Sequence, residues 1–223
     1  MQKFDTPAPI SVVLDVAAGR VQFIAAERAD TVVEVLPADA SKGRDVKAAE
    51  RATVEHADGV LRIEAREGKS QILGHSGSVE VTVRLPAGSQ VEAKASAAGF
   101  RAVGRLGDVA CDSAYGSIKI DEAASARLTT AAGDISVGRL NGPAEISTGK
   151  GDICIAEAVR GTVVLRTEAG EVSVGAAAGV SASLDAGTSY GRIRNALKNT
   201  EGAAAQLDIH ATTAYGDIVA RSL

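Results

Sequence analysis

Beyond Gly88, apolar and polar positions alternate in short runs, and each run breaks at a glycine before the alternation resumes. The recurring unit is Ser or Thr, two residues, Gly, a polar residue, Ile or Val, any residue, Ile or Val. Its glycines are Gly99, Gly116, Gly133, Gly151, Gly170, Gly191 and Gly216, spaced by 17, 17, 18, 19, 21 and 25 residues. Three residues before them stand Ser96, Ser113, Thr130, Thr148, Thr167, Thr188 and Thr213. Two residues after them stand Arg101, Ile118, Ile135, Ile153, Val172, Ile193 and Ile218, and four after them Val103, Ile120, Val137, Ile155, Val174, Asn195 and Ala220. A side-chain period of two puts both of these columns on one inward face. Each unit therefore predicts a strand ending at the hydroxyl residue, a tight turn through glycine and a second strand. Near-copies of such a unit stabilise one another by stacking about 4.8 Å apart. The sequence thus predicts an all-β fold, a β-solenoid of seven coils over 89–223.

The first 88 residues are less regular. Alternation predicts strands at Ser11–Val16, Arg20–Ile24, Thr31–Leu36, Thr53–Glu55, Val60–Glu64 and Ser78–Leu85. Lys42–Ala52 has the composition of one short helix, and the Gly-rich polar stretch Glu67–Ser76 reads as a mobile loop. Pro86-Ala87-Gly88 marks the passage into the regular coils. The change is one of regularity, so 1–88 is expected to be a broader opening β region of one continuous domain.

Composition narrows the picture. Hydrophobic residues make up 45% of the chain but aromatic ones 3%, with no Trp, so the core is built from small and β-branched side chains that suit stacked layers. The net charge of -4, with no basic stripe interleaved with aromatics, excludes nucleic-acid binding. No stretch of 18 apolar residues occurs, and Met1-Gln2-Lys3-Phe4-Asp5-Thr6-Pro7 does not read as a leader. These features predict no membrane insertion and a cytoplasmic protein.

The run Val79-Glu80-Val81-Thr82-Val83-Arg84-Leu85-Pro86-Ala87-Gly88, the turns Ala132-Gly133-Asp134-Ile135 and Lys150-Gly151-Asp152-Ile153, and the opening Val12-Val13-Leu14-Asp15-Val16 before Gly19-Arg20-Val21 resemble the bacterial putative adhesin family. That family is a group of domains of unknown function with repeated Ser-Gly-Asp-Ile-type turns. The resemblance covers nearly the whole chain and implies a right-handed β-helix-like solenoid. It carries no catalytic residue over to this sequence.

The residue after each glycine forms an edge column: Phe100, Ser117, Asp134, Asp152, Glu171, Arg192 and Asp217. Asp134, Asp152 and Glu171 have the oxygen chemistry for a hard cation. The preferred reading is that they are ordinary turn residues, because the period is not that of calcium-binding β-rolls and Arg192 interrupts the column. Tyr115, Tyr190 and Tyr215 each precede a glycine. Tyr190 and Tyr215, with Arg192, Arg194 and Arg221 nearby, are the candidate partner-contact residues, against a bland role in turn packing. The longer insertion Ala196–Ala205 is a candidate contact loop. Cys111 falls in the inward column with Leu128, Ile146 and Leu165, and Cys154 in the outward one with Lys119, Ser136 and Ser173, about 10 Å away. That separation precludes a disulfide. His56, His75 and His210 are scattered without a second ligand or nucleophile at a recognised spacing, so no triad and no zinc site are expected.

The reading that follows is a non-catalytic scaffold or binding domain that contacts an unidentified protein and needs no cofactor. Uniform coils leave little chain from which to assemble a pocket. The alternative is a self-assembling structural protein, a homo-oligomer formed through a solenoid end or edge, similar in architecture though not in motif to cytoplasmic bactofilins. A polysaccharide lyase or hydrolase ranks third, since the chain lacks the aromatic platforms such enzymes use.

Overall fold

The computed structural model describes residues 1–65 and 77–223, so the loop expected over Glu67–Ser76 lies outside the described residues. Two compact units form, Met1–Gly116 and Ser117–Leu223.

In the first unit the strands are β1 (Gln2–Asp5), β2 (Ser11–Ala26), β3 (Asp30–Pro37), β4 (Thr53–Ala57), β5 (Val60–Ala65), β6 (Val79–Pro86) and β7 (Gln90–Tyr115), with helix α1 (Gly43–Glu50) between β3 and β4. The two halves of β2 run parallel to β5 and β6 on one side, and both halves run parallel to β7 on the other. Antiparallel strands finish the far side, where β4 pairs with β5, β3 with β6 and β1 with β3. Alternation matches burial closely: Val12, Leu14, Val16, Val21 and Phe23 of β2 are all buried, as are Leu61, Ile63, Val81 and Val83 of their neighbours. Each fully buried branched side chain of this size contributes roughly 1.5–3 kcal/mol. Asp45 of α1 is buried as well, and its carboxylate accepts the Ser78 N–H at 3.0 Å, which ties the helix to the start of β6.

In the second unit, β8 (Ile118–Ala132), β9 (Ile135–Leu140), β10 (Ala144–Lys150), β11 (Ile153–Ala158), β12 (Gly161–Ala169), β13 (Val172–Ala176), β14 (Ala182–Tyr190), β15 (Ile193–Ala196), β16 (Leu207–Tyr215) and β17 (Ile218–Ser222) form two parallel ladders. One runs β8-β10-β12-β16-β14. The other runs β8-β9-β11-β13-β17-β15. Their alternate residues form the core: Leu128, Ile146, Leu165 and Ile209 in the first ladder, and Ile118, Ile135, Ile153, Val172 and Ile218 in the second, are each 0–1% exposed.

The glycine column is set by how closely the coils approach at the turn. A Cβ on Gly151 would lie 2.3 Å from the Gly133 carbonyl oxygen, one on Gly170 1.9 Å from that of Gly151, one on Gly216 2.0 Å from that of Gly170, and one on Gly191 1.9 Å from that of Gly216. The hydroxyl column uses the same carbonyls. Thr148 donates to Gly133 O (3.1 Å), Thr167 to Gly151 O (3.1 Å), Thr213 to Gly170 O (3.1 Å) and Thr188 to Gly216 O (3.0 Å). Glycine brings neighbouring turns together, and the threonine three residues earlier satisfies the lone pair so exposed.

Two expectations from the sequence are corrected. The coils do not climb as a continuous right-handed β-helix, because a solenoid stacks each coil on its sequence neighbour. Here coil 207–222 lies between coils 161–176 and 182–196. In the first unit, likewise, β2 lies between β5/β6 and β7, and antiparallel β4 and β3 lie beyond β5 and β6. The unit around Gly99 is also not a turn of the series. Gly99 lies inside the continuous strand β7, and a Cβ there would meet nothing within 4 Å. The inward residues are Phe100 and Ala102 rather than Arg101 and Val103, and Ser96 is exposed. Phe100 packs on Phe23 with ring centroids 5.3 Å apart, and seating that pair shifts the phase by one residue.

Candidate protein-contact surface

The interchange of coils makes 182–196 the terminal coil of the second unit. Its turn, Tyr190-Gly191-Arg192, lies in register on Tyr215-Gly216-Asp217 of the coil beneath, with Tyr190 opposite Tyr215. This pairing stacks the two rings, with centroids 5.0 Å apart and planes 4° from parallel. Both stay open to solvent, Tyr190 at 68% and Tyr215 at 61% exposure. Tyr115 is likewise exposed and belongs to the first unit.

Period two puts Arg194 on the outer face of β15 and Arg221 on the same face of β17, opposite Ala196, while Arg192 lies in the turn just before β15. All three are exposed, and among the described residues none of their guanidiniums forms an ion pair. Elsewhere on the unit surface, by contrast, charges are matched across the ladder: Glu145 lies between Arg127 and Arg166, and Arg139 pairs with Glu157. The structure therefore brings all five candidate contact residues onto the last two coils of the stack.

The opposite face of the terminal coil differs in sign. Registration of β14 on β16 sets Ser183 against Asp208 and Asp185 against His210. Asp208 accepts the Ser183 hydroxyl, His210 Nε2 lies 3.2 Å from Asp208 Oδ2, and His210 Nδ1 lies 3.4 Å from Asp185 Oδ2. The Asp208 carboxylate stands between hydroxyl and imidazole. Both imidazole nitrogens face carboxylates and neither faces the serine hydroxyl, so the cluster does not have the serine-to-imidazole contact of a catalytic triad. Sequence reasoning missed this group because it depends on pairing between strands that are out of sequence order.

The acidic edge column has a structural use. Asp134 Oδ1 accepts the Asp152 N–H (3.0 Å), Asp152 Oδ1 the Glu171 N–H (2.7 Å) and Asp217 Oδ1 the Arg192 N–H (2.9 Å). Each carboxylate accepts from an amide of the next coil at the turn, and Arg192 donates such a bond through its backbone N–H. Among the described residues no group of three or more His, Cys, Asp or Glu could hold a metal ion. Cys111 is buried, which pushes its thiol up to about 12, with Asp112 adding to the effect. Cys154 is exposed, its Sγ 4.0 Å from Ser173 Oγ, and both cysteines are free thiols. His56 lies in β4 against Phe4, ring centroids 5.3 Å apart, and its Nε2 has no hydrogen-bond partner among the described residues. His75 lies outside the described residues.

The insertion after β15 folds back on the coil it leaves. Ser181 Oγ accepts the N–H groups of Thr200 and Glu201 (both 3.1 Å), and Asn199 Oδ1 accepts that of Gly202 (2.7 Å). Lys198 O accepts the Ala182 N–H at 3.1 Å. The loop so covers the start of β14 and leaves the rest of that strand and β15 with a strand partner on one side, among the described residues.

Comparison with known proteins gives the fold its place. The Toastrack DUF4097 family matches residues 11–222. This match, with the coil order above, replaces the closed right-handed β-helix by an all-β fold of the Toastrack type. Among solved structures, the chain is similar to a putative cell adhesion protein from Clostridium sporogenes at 14% identity, covering 100% of this chain and 98% of that one, with a TM-score of 0.42. It is similar to a putative adhesin from Bacteroides fragilis at 12% identity, covering 98% and 95%, with a TM-score of 0.49. A putative adhesin from Parabacteroides distasonis shows 14% identity over 100% and 95%, with a TM-score of 0.47. No curated protein matches the chain. The expectation of cytoplasmic residence is withdrawn against these descriptions, all of adhesion proteins. No helix among the described residues is long and apolar enough to cross a membrane.

Proposed function

The chain belongs to the Toastrack DUF4097 family, and from that premise we propose that it is a non-catalytic protein-protein interaction domain of the putative-adhesin type, acting at the cell surface. The observation that carries this reading is the stacked, exposed pair Tyr190 and Tyr215 beside three guanidiniums that, among the described residues, have no carboxylate partner. Tyrosine and arginine are residue types that anchor protein interfaces, tyrosine by a large rigid ring of low entropic cost and arginine by a planar fork of directional donors. Exposed guanidiniums next to them favour a partner segment carrying carboxylates, which accept bidentate hydrogen bonds.

A photo-crosslinking residue placed at Tyr190 tests this, with the same residue at exposed Lys119 as control. The expected result is protein adducts on whole cells that concentrate at position 190 and fall when Tyr215, Arg194 and Arg221 are replaced by Ala. Equal yields at the two positions would overturn the assignment. Robust turnover by the purified protein on a broad hydrolase substrate panel would overturn the non-catalytic reading.

A further inference from the structure

We propose that the open end of the second unit docks a second copy of this chain, through a two-fold contact that sets β14 of each copy antiparallel to β15 of the other. The inference rests on reading the terminal coil as the contact surface, and it names one occupant of it.

The core columns supply the first observation. Along the ladders the inward residues are closed off by the next coil: Val163, Leu165, Val172, Ile209, Ala211 and Ile218 are all 0% exposed. The same columns continue into the terminal coil as Leu184, Ala186 and Thr188 on β14 and Ile193 on β15. There they lose their cover. Leu184, Ala186 and Thr188 are half-buried, and Ile193 is 45% exposed. The sequence thus builds core residues into a coil on which, among the described residues, no further coil is stacked.

Pairing supplies the second. Among the described residues β14 pairs with β16 alone and β15 with β17 alone, so both strands present an unfilled backbone edge. The first unit treats its outermost parallel strands differently, laying antiparallel β4 on β5 and β3 on β6, and the columns beneath are buried.

Charge selects the occupant and its orientation. The β14 side of the end carries Asp185, with Asp208 behind it, and the β15 side carries Arg192 and Arg194. Matching β14 to β14 would bring Asp185 toward its own copy and Arg194 toward its own. Matching β14 to β15 sets carboxylate against guanidinium, and two-fold symmetry makes the same pairing twice. A second copy therefore carries both complements that this end requires.

Sedimentation equilibrium of the full chain over a range of protein concentrations, together with the crosslinking assay above, tests the inference. The expected result is a reversible monomer-dimer equilibrium. Ile193→Asp should weaken it by at least about tenfold with an unchanged circular dichroism spectrum, because that side chain is already partly in solvent. Arg192→Glu with Arg194→Glu should weaken it as well, and adding Asp185→Arg to that variant should restore it. A chain that stays monomeric at the highest concentration, a dimer indifferent to Ile193→Asp, or a failure of Asp185→Arg to restore association would each overturn the proposal. A monomer that still gives position-190 adducts on cells overturns this inference and leaves the proposed function standing. A dimer without such adducts supports the inference and overturns the heterologous partner.

Discussion

Replacing Gly170 by Ala adds one carbon at a turn where two coils are in close approach. That carbon would lie 1.9 Å from the Gly151 carbonyl oxygen, a backbone atom that no rotamer change can move. Restoring a tolerable contact of about 3 Å requires the two turns to separate by about 1 Å, against an interior with little free volume. Three hydrogen bonds cross this gap: Gly151 N–H to Ala169 O at 2.9 Å, Thr167 Oγ1 to Gly151 O at 3.1 Å and Glu171 N–H to Asp152 Oδ1 at 2.7 Å. All three lengthen past useful range. At roughly 1 kcal/mol each, the loss is about 3 kcal/mol. The internal control is Gly99, which occupies the same position of the sequence motif but has open space around its Cβ and lies within a strand. Gly99→Ala should leave stability unchanged or raise it by up to about 1 kcal/mol through the unfolded chain. In urea titrations followed by far-ultraviolet circular dichroism, Gly170→Ala should lower the midpoint by about 1–2 M at an ordinary slope, with Gly99→Ala at or above the parent. Equal midpoints for the two variants would refute the argument that close approach, rather than the motif, demands glycine.

Three further outcomes follow from the same geometry. Thr213→Val removes a buried hydroxyl that donates to Gly170 O and should cost about 1 kcal/mol in the same titration. A thiol reagent at pH 8 should label Cys154 at once and Cys111 on unfolding alone; because burial raises the folded Cys111 thiol above its ordinary value of 9.0 to about 12, its contribution to stability is complete below about pH 9 and is lost as the pH rises from there. Deleting 207–223 should unravel coil 182–196 as well, because its strands are paired with β16 and β17; limited proteolysis that spares 182–196 in the truncated chain would refute the interchange.

The motif made the register legible. Ile135, Ile153 and Val172 meet across their strands as the glycine count predicts, and Thr148 pairs with Thr130 and Thr167. The order of coils was not legible, since near-identical coils stack on any other with nearly the same contacts. Connection length permits the interchange without selecting it. The ten residues between Ala196 and Leu207 are enough, at about 3.3 Å per residue, to pass a coil and return beneath it. Phe100 shows the other limit. A polar residue follows most of the turn glycines, but a phenylalanine able to fill space against Phe23 changes the phase of its strand, and tertiary packing overrides the local pattern. The contact candidates were readable as exposed Tyr and Arg columns. Their place on a terminal coil, and the opposite charge on its other face, came from pairing that sequence order conceals.

The position of the last coil sets how the second unit carries load. A tether attached at Leu223 does not pull on an outermost strand, because β17 is hydrogen-bonded to β13 on one side and β15 on the other, and β16 to β12 and β14. Tension entering there cannot peel a single ladder one bond at a time from a free edge. It must break two ladders together, so the singly paired strands β14 and β15 are not the point at which tension enters.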